Sequence, residues 1–157
     1  EADGATFPFG VHASVVEVDR ETGRVTVVRH VCCDDAGVIV NPTVVDGQVH
    51  GGVAGGIGHA LMEEFLYDED GTPLTANFMD YGIPSAAEFP SFERIEQVTP
   101  TTLNPLGVKG IGEAGTIGAT PAVQNAVVDA LAHLGVRHVD LPLTSQRVWR
   151  AIEAAGT

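Results

Sequence analysis

The stretch GVKGIGEAG, residues 107–115, holds four glycines, one lysine and one glutamate. A lone carboxylate in a backbone nearly free of bulky side chains admits two readings. Glu113 either points to water from a flexible turn, or it faces a ligand that the backbone approaches closely. Glycine-rich loops beside helix N-termini bind anions because amide N–H groups point outward there. The spacing is neither G-x-x-x-x-G-K-[ST] nor a strand-following G-x-G-x-x-G, so it gives no support to those nucleotide-binding routes. On spacing alone both readings stay open. A carboxylate in a tight apolar loop would have the raised pKa that suits a general base. Gln48, at the start of a second glycine-rich stretch, can donate and accept toward a polar ligand, or simply bond backbone at a helix start.

Other chemistry is sparse. His12, His30, His50, His59, His133 and His138 are scattered with no metal-ligand spacing, so they are expected to be satisfied or solvated. H-E-x-x-H and G-x-S-x-G are absent. Asp34 and Asp35 read as loop carboxylates, and Glu63 and Glu64 as the solvent side of a helix end. Cys32 and Cys33 are adjacent, which points their side chains to opposite faces of a strand and makes a mutual bond strained. They read as reduced thiols of a cytosolic protein.

Positioning these residues requires a folded domain. The 157 residues are 44% hydrophobic and 18% charged, which is globular rather than disordered. A formal charge of −13 argues against a broad basic face for the phosphate backbone of nucleic acid and against docking on anionic lipid. No apolar run approaches the roughly 20 residues of a membrane span. The first ten residues lack the basic start and apolar centre of a secretory leader.

β-Branched runs on either side of RETG predict a hairpin over about Val11–Val31, with Gly23 in the turn. Val49, Val53, Ile57 and Leu61 recur every four residues and predict a helix over Asp46–Phe65. Gly51, Gly52, Gly55, Gly56 and Gly58 within it each cost about 1 kcal/mol against alanine, so its backbone must lie close to another backbone or a ligand. RIEQV reads as a short strand, and a long loop follows. A second helix is expected to start with Thr120 as cap and Pro121 at its first position, and to end at Gly135. VRHVDLPL reads as extended. TSQRVWRAIEAA reads as a helix with Val148, Trp149 and Ile152 on one face. The fold class is α+β: a hairpin and short strands packed with about three helices.

Three segments, NPTVVDGQVHGGVAGGIGHALMEE, NPLGVKGIGEAG and DLPLTSQRVWRAI, resemble the C-terminal part of molybdenum hydroxylase large subunits. This is the family of xanthine dehydrogenase, aldehyde oxidase and aerobic carbon monoxide dehydrogenase. TFPFGVHASVVEVDRETGRV is also similar to it, so the resemblance spans nearly the whole chain, with motifs in the family's order. It implies that residues 1–157 are part of a larger molybdopterin-binding domain, as a fragment or one piece of a split large subunit. The implied cofactor is Mo-molybdopterin, in bacterial members usually the cytosine dinucleotide form. The metal takes its ligands from the cofactor, so no protein ligand is implied.

Carried onto this chain, the glutamate beside the metal is Glu113. It would take the proton from a hydroxyl at the metal during oxidation of an aldehyde, an N-heterocycle or carbon monoxide, with water as oxygen source. Lys109, Gly110, Ile111 and Gly112 would line the cofactor through backbone groups. Gln48 would contact the pterin region, and Asn41 and Thr43 would lie in a preceding cofactor loop. Implied partners are the rest of the large subunit and chains or domains carrying 2Fe-2S and FAD, in a cytoplasmic hetero-oligomer. Gly55 and His59 depart from the family's glutamines in VAQGIGQAL. That departure feeds an alternative, a truncated or degenerate cofactor-binding or assembly module without catalysis of its own. On its own the chain is expected to be inactive, to expose a large apolar face and to oligomerise.

Overall fold

A computed structural model describes residues 4–156. The first three residues of the ten read above for a secretory leader lie outside them. β1 (Gly10–Val18) and β2 (Val25–Asp35) form the expected hairpin, antiparallel, with a register shift at Val15/Val16. Gly23 supplies the positive φ of 71° that the turn requires. A Cβ there would lie 2.1 Å from the Ser145 carbonyl oxygen, so the turn sits directly on the last helix.

β2 runs four residues beyond the predicted hairpin. β3 (Phe92–Gln97) pairs with it in parallel from His30↔Phe92 to Asp35↔Gln97. Asp34 and Asp35 are therefore buried strand residues, not loop carboxylates. A parallel partner some sixty residues away leaves no local sign, and the acidic pair masked the strand. Cys32 and Cys33 do face opposite sides, Cys32 buried and Cys33 half-buried, and both are free thiols. Burial, then the Asp34 carboxylate, pushes the Cys32 thiol up to about 11, so it stays protonated at neutral pH.

α1 (Pro42–Leu61) connects β2 to β3 and starts four residues earlier than the periodicity suggested. Asn41 caps it, its side-chain oxygen accepting from Val44 N at 3.2 Å, and Pro42 occupies the first turn. It stops at Leu61, where the Met62 and Glu63 amides both donate to the Gly58 carbonyl. Glu63 and Glu64 are thus past the helix and half-buried. Glu63 accepts from the Tyr81 hydroxyl at 2.5 Å, and Glu64 pairs with Arg147.

α2 (Ala114–Leu131) differs most from expectation. It begins at Glu113, and Pro121 lies inside it, about two turns in. Thr120 is not a cap; its hydroxyl donates to the Gly56 carbonyl at 3.0 Å, across to α1. The glycines around residue 115 read as loop, yet they permit the crossing. A Cβ at Gly115 would lie 2.8 Å from both Val49 O and Val53 N. One at Gly52 would lie 3.1 Å from Gly115 Cα. The glycine-rich helix therefore packs on another backbone here, one of the two options its composition left.

Beyond α2 a short 3₁₀ turn, Ala132–Leu134, ends at Gly135 with φ 95°, where the stop was expected. Residues 136–143 join no strand but bury Val136, Val139 and Leu143. α3 (Ser145–Ala155), capped by Thr144, buries Val148 and Ile152. Trp149 is 41% exposed and does not share that buried face as expected. One core joins α1, α2 and the sheet; a second joins the end of α2, residues 136–143 and α3. Several large apolar side chains stay in water, among them Phe7, Val11, Phe78, Met79 and Ile117, with Met79 94% exposed. Among the described residues no helix is long and apolar enough to cross a membrane.

Candidate cofactor-binding site

The loop before Glu113 is pinned at its base. Asn104 brackets it, donating to the Val108 carbonyl at 2.9 Å and accepting from the Val108 amide at 3.2 Å. Gly107 takes φ 68°, and Val108 bridges to Gly37 at the end of β2. The Lys109 amide then donates to Ala36 O at 2.8 Å. Its ammonium pairs with fully buried Asp35 and lies 5.1 Å from the centroid of the Phe9 ring. The other Asp35 oxygen accepts from the Gly37 and Thr99 amides, each at 2.9 Å. Asp35 is thus the anchor that ties the loop to the sheet, a role no local motif marks.

Burial pushes the Asp35 carboxyl up, but the Lys109 ammonium and the two amides outweigh it and hold the group below the usual carboxylate range. A carboxyl depressed in the folded state stabilises the fold above its ordinary value of 3.8. That stability is lost as pH falls through the folded value. His30 moves the same way from the other side. Burial, then His12, lowers it from 6.5 to about 4. Between those values the unfolded ring is protonated and the folded ring is not, so unfolding takes up a proton. Stability should therefore climb with pH from about 4 to 6.5, by roughly 1 kcal/mol per pH unit from this ring, and level off above. Calorimetric melts across that range check it; a flat profile would contradict the buried neutral ring.

Past Lys109 the loop opens onto a cavity of about 660 Å³. Its walls are residues 6–10, His12 and Asp34 of the hairpin, Gly110 and Gly112, and the first turn of α2. Glu113 lines it from the cap position of α2, with no side-chain capping bond. The carboxylate is exposed and sits where the helix dipole favours negative charge. Gln48 reaches the same loop from α1: a Cβ at Gly112 would lie 3.4 Å from Gln48 Oε1. Ile111 turns inward and packs on the first core.

The structure thus brings Gln48, Gly110, Gly112 and Glu113 together. Lys109 borders the loop by its backbone while its charge is committed to Asp35. Asn41 and Thr43 are apart from the cavity wall; Asn41 spends its side-chain oxygen on the α1 cap. A Cβ at Gly55 would lie 3.7 Å from the Thr116 hydroxyl of α2, and exposed His59 lies 3.6 Å from Glu63, so neither departure touches the cavity. His12 is a wall residue that the sequence reading missed, and Asp34 one that it placed in a loop with only a slight claim to function. Their signal was in phase: positions 12 and 14 of one strand and 30 and 34 of its partner share one face.

Residues 1–90 match the family described as the molybdopterin cofactor-binding domain. The chain belongs to that family. It is 42% identical over 148 residues to the carbon monoxide dehydrogenase large chain of Hydrogenophaga pseudoflava, covering 94% of this chain and 18% of that one. It is 46% identical over 145 residues to the nicotine 6-hydroxylase large subunit of Paenarthrobacter nicotinovorans, covering 92% and 18%. The reconstituted CO dehydrogenase from Oligotropha carboxidovorans superposes with a TM-score of 0.92 at 39% identity, over 96% of this chain and 19% of that one. The domain is thus a segment of the molybdenum hydroxylase large-subunit type, spanning under a fifth of those relatives' length.

The residues present suit a molybdopterin. Gly110 and Gly112 are exposed and leave backbone amides and carbonyls open to a polar ring system. The uncapped first turn of α2 offers N–H groups to an anionic phosphate. Gln48 adds a donor and an acceptor beside Gly112. Among the described residues no three His, Cys, Asp or Glu side chains converge as metal ligands.

Proposed function

We propose that this domain forms one wall of the molybdenum site of a hydroxylase or dehydrogenase, with Glu113 as its general base. The observation that carries the reading is the placement of Glu113. It lines the cavity beside Gly110 and Gly112, with Gln48 across from Gly112, and it is exposed where Asp34, the other carboxylate of that wall, is buried. When bound, the cofactor supplies a two-electron acceptor and activates water. The chain's own part is acid–base and positional. Glu113 takes a proton at its carboxylate, its backbone fixed by the first turn of α2, where its carbonyl accepts from Ile117 N at 3.0 Å. Gly110, Ile111 and Gly112 present backbone to the pterin, Lys109 is held rigid by Asp35, and Gln48 orients the pterin edge. Asn41 and Thr43 contact the cofactor outside the cavity wall, from the start of α1 one to two turns before Gln48.

The substrate class is an aldehyde, an N-heterocycle or carbon monoxide, and the cofactor the cytosine dinucleotide form. The rest of the large subunit closes the cavity over the exposed Phe7, Phe9 and Ile117 side chains, and 2Fe-2S and FAD partners take the electrons, in the cytoplasm. Purified with its natural flanking polypeptide, the protein should carry about one molybdenum and one pterin per large subunit, measured by metal analysis and pterin fluorescence. Absence of both from an intact assembly would leave only a non-catalytic cofactor-binding or assembly module.

A further inference from the structure

Beneath the cavity lies a buried row of four side chains that the proposed chemistry does not use. His12 Nε2 is 3.2 Å from both Asp34 carboxylate oxygens, and His12 Nδ1 is 3.2 Å from His30 Nε2. His30 Nδ1 is 2.7 Å from the Ser14 hydroxyl. His12 and Asp34 line the cavity, their side chains 2% and 3% exposed. Ser14, half-buried, is the far end.

With Asp34 ionised and His12 neutral, the donor inventory gives this row a single direction. An ionised Asp34 only accepts, so His12 Nε2 carries the hydrogen. A neutral His12 then accepts at Nδ1, which makes His30 Nε2 the donor. His30 accepts at Nδ1, and Ser14 donates there. Each link points toward Asp34. The low pKa of about 4 at His30 keeps one proton on that ring at neutral pH, as the row needs.

We propose that Ser14, His30, His12 and Asp34 form a relay polarised to deliver a proton from the Ser14 end to the wall of the cavity that Glu113 lines. The transfer balances without a charged ring at rest. A hydronium at the outer end gives a proton to the Ser14 oxygen and leaves as water, while the hydroxyl's own hydrogen passes to His30 Nδ1. The His30 Nε2 hydrogen moves to His12 Nδ1, and the His12 Nε2 hydrogen moves to Asp34. The row ends one proton richer, Asp34 neutral and every link reversed. In that state it can return a proton outward, so it stores a single proton beside the reaction site.

The packing holds the row in place. A Cβ at Gly118 of α2 would lie 2.4 Å from the His12 ring, so glycine lets the ring sit under the cavity. The Phe92 ring of β3 stands edge-on to His30 at 6.1 Å. Cys32, between His30 and Asp34 on β2, keeps its thiol protonated; Arg94 on β3, which acts on Cys32, pairs with Asp46 at 2.5 Å; and Glu113 lines the same cavity from α2.

The test has a structural arm and a kinetic arm, and only the kinetic one rests on the proposed function. In ¹⁵N-histidine-labelled full-length large subunit at pH 7, solid-state NMR should find His12 and His30 neutral and protonated at Nε2. Ser14→Ala should move the His30 Nδ1 signal and so assign it. An Nδ1–H or doubly protonated form of either ring would overturn the relay. In the loaded enzyme, Ser14→Ala should lower kcat roughly tenfold or more, within the usual scale of positioned proton transfer. KM should stay put, the solvent isotope effect should grow, and Ser14→Thr should restore both. Wild-type turnover and isotope effect in Ser14→Ala would also overturn it. A Glu113→Gln enzyme of normal activity would remove the base assignment and leave the tautomer result standing.

Discussion

Glu113→Gln in the assembled enzyme is expected to cut turnover by roughly 10²–10⁴-fold, with molybdenum and pterin content near normal. The size of the effect separates chemistry from folding. Glutamine keeps the shape of the side chain and removes a charge at the start of α2. There a carboxylate is worth about 0.3–1 kcal/mol through the helix dipole. Such a loss changes a folding equilibrium by a few-fold at most and cannot produce a thousandfold drop in rate. The side chain makes no capping bond whose loss would disturb the helix. KM should move little, because a proton acceptor acts in the transition state more than in substrate binding. Steady-state kinetics set beside metal analysis decide the matter, and unchanged turnover would take Glu113 out of the mechanism.

The second large effect is mechanical. Gly115→Ala should destabilise the domain by about 1–3 kcal/mol, the usual range for forcing a methyl group into a filled interior. The new Cβ would meet Val49 O and Val53 N at 2.8 Å, and both are backbone atoms that cannot swing aside. Relief requires α1 and α2 to part, which also moves Gln48 away from Gly112 and lowers cofactor occupancy. Gly51→Ala on the same glycine-rich helix is the control. Nothing lies within 4 Å of that position, so alanine's better helix propensity should leave stability equal or higher by up to about 1 kcal/mol. Thermal melts of the two variants should separate by several degrees. Equal midpoints would mean the helices are not in backbone contact.

Those two glycines also mark where the sequence could be read and where it could not. The four-residue period of Val49, Val53 and Ile57 gave α1, and the β-branched runs gave the hairpin, because one buried face writes a period into its own element. The start of α2 was hidden. Glycine lowers helix propensity, and Gly115 is in the helix for the sake of a neighbour sixty residues back, so a local reading ended the loop too late. Asp34 and Asp35 failed for a related cause. Charged residues argue against a buried strand until their partners, His12 and Lys109, are known, and those partners are distant in sequence. Glu113 and Gln48 were legible as candidates from their residue types in two glycine-rich stretches, and the resemblance of motifs added their roles. Their juxtaposition at Gly112 was not, since it depends on how two helices cross. The histidines looked scattered along the line of the sequence, yet two of them stand on facing strands.

Gly23 carries a consequence for how the molecule is made. The hairpin tip has room to seat only because no methyl group separates it from Ser145 and the backbone of Trp149. Its resting place is thus built by residues synthesised more than a hundred positions later. The two strands must wait, unseated at one end, until α3 has left the ribosome and closed over them.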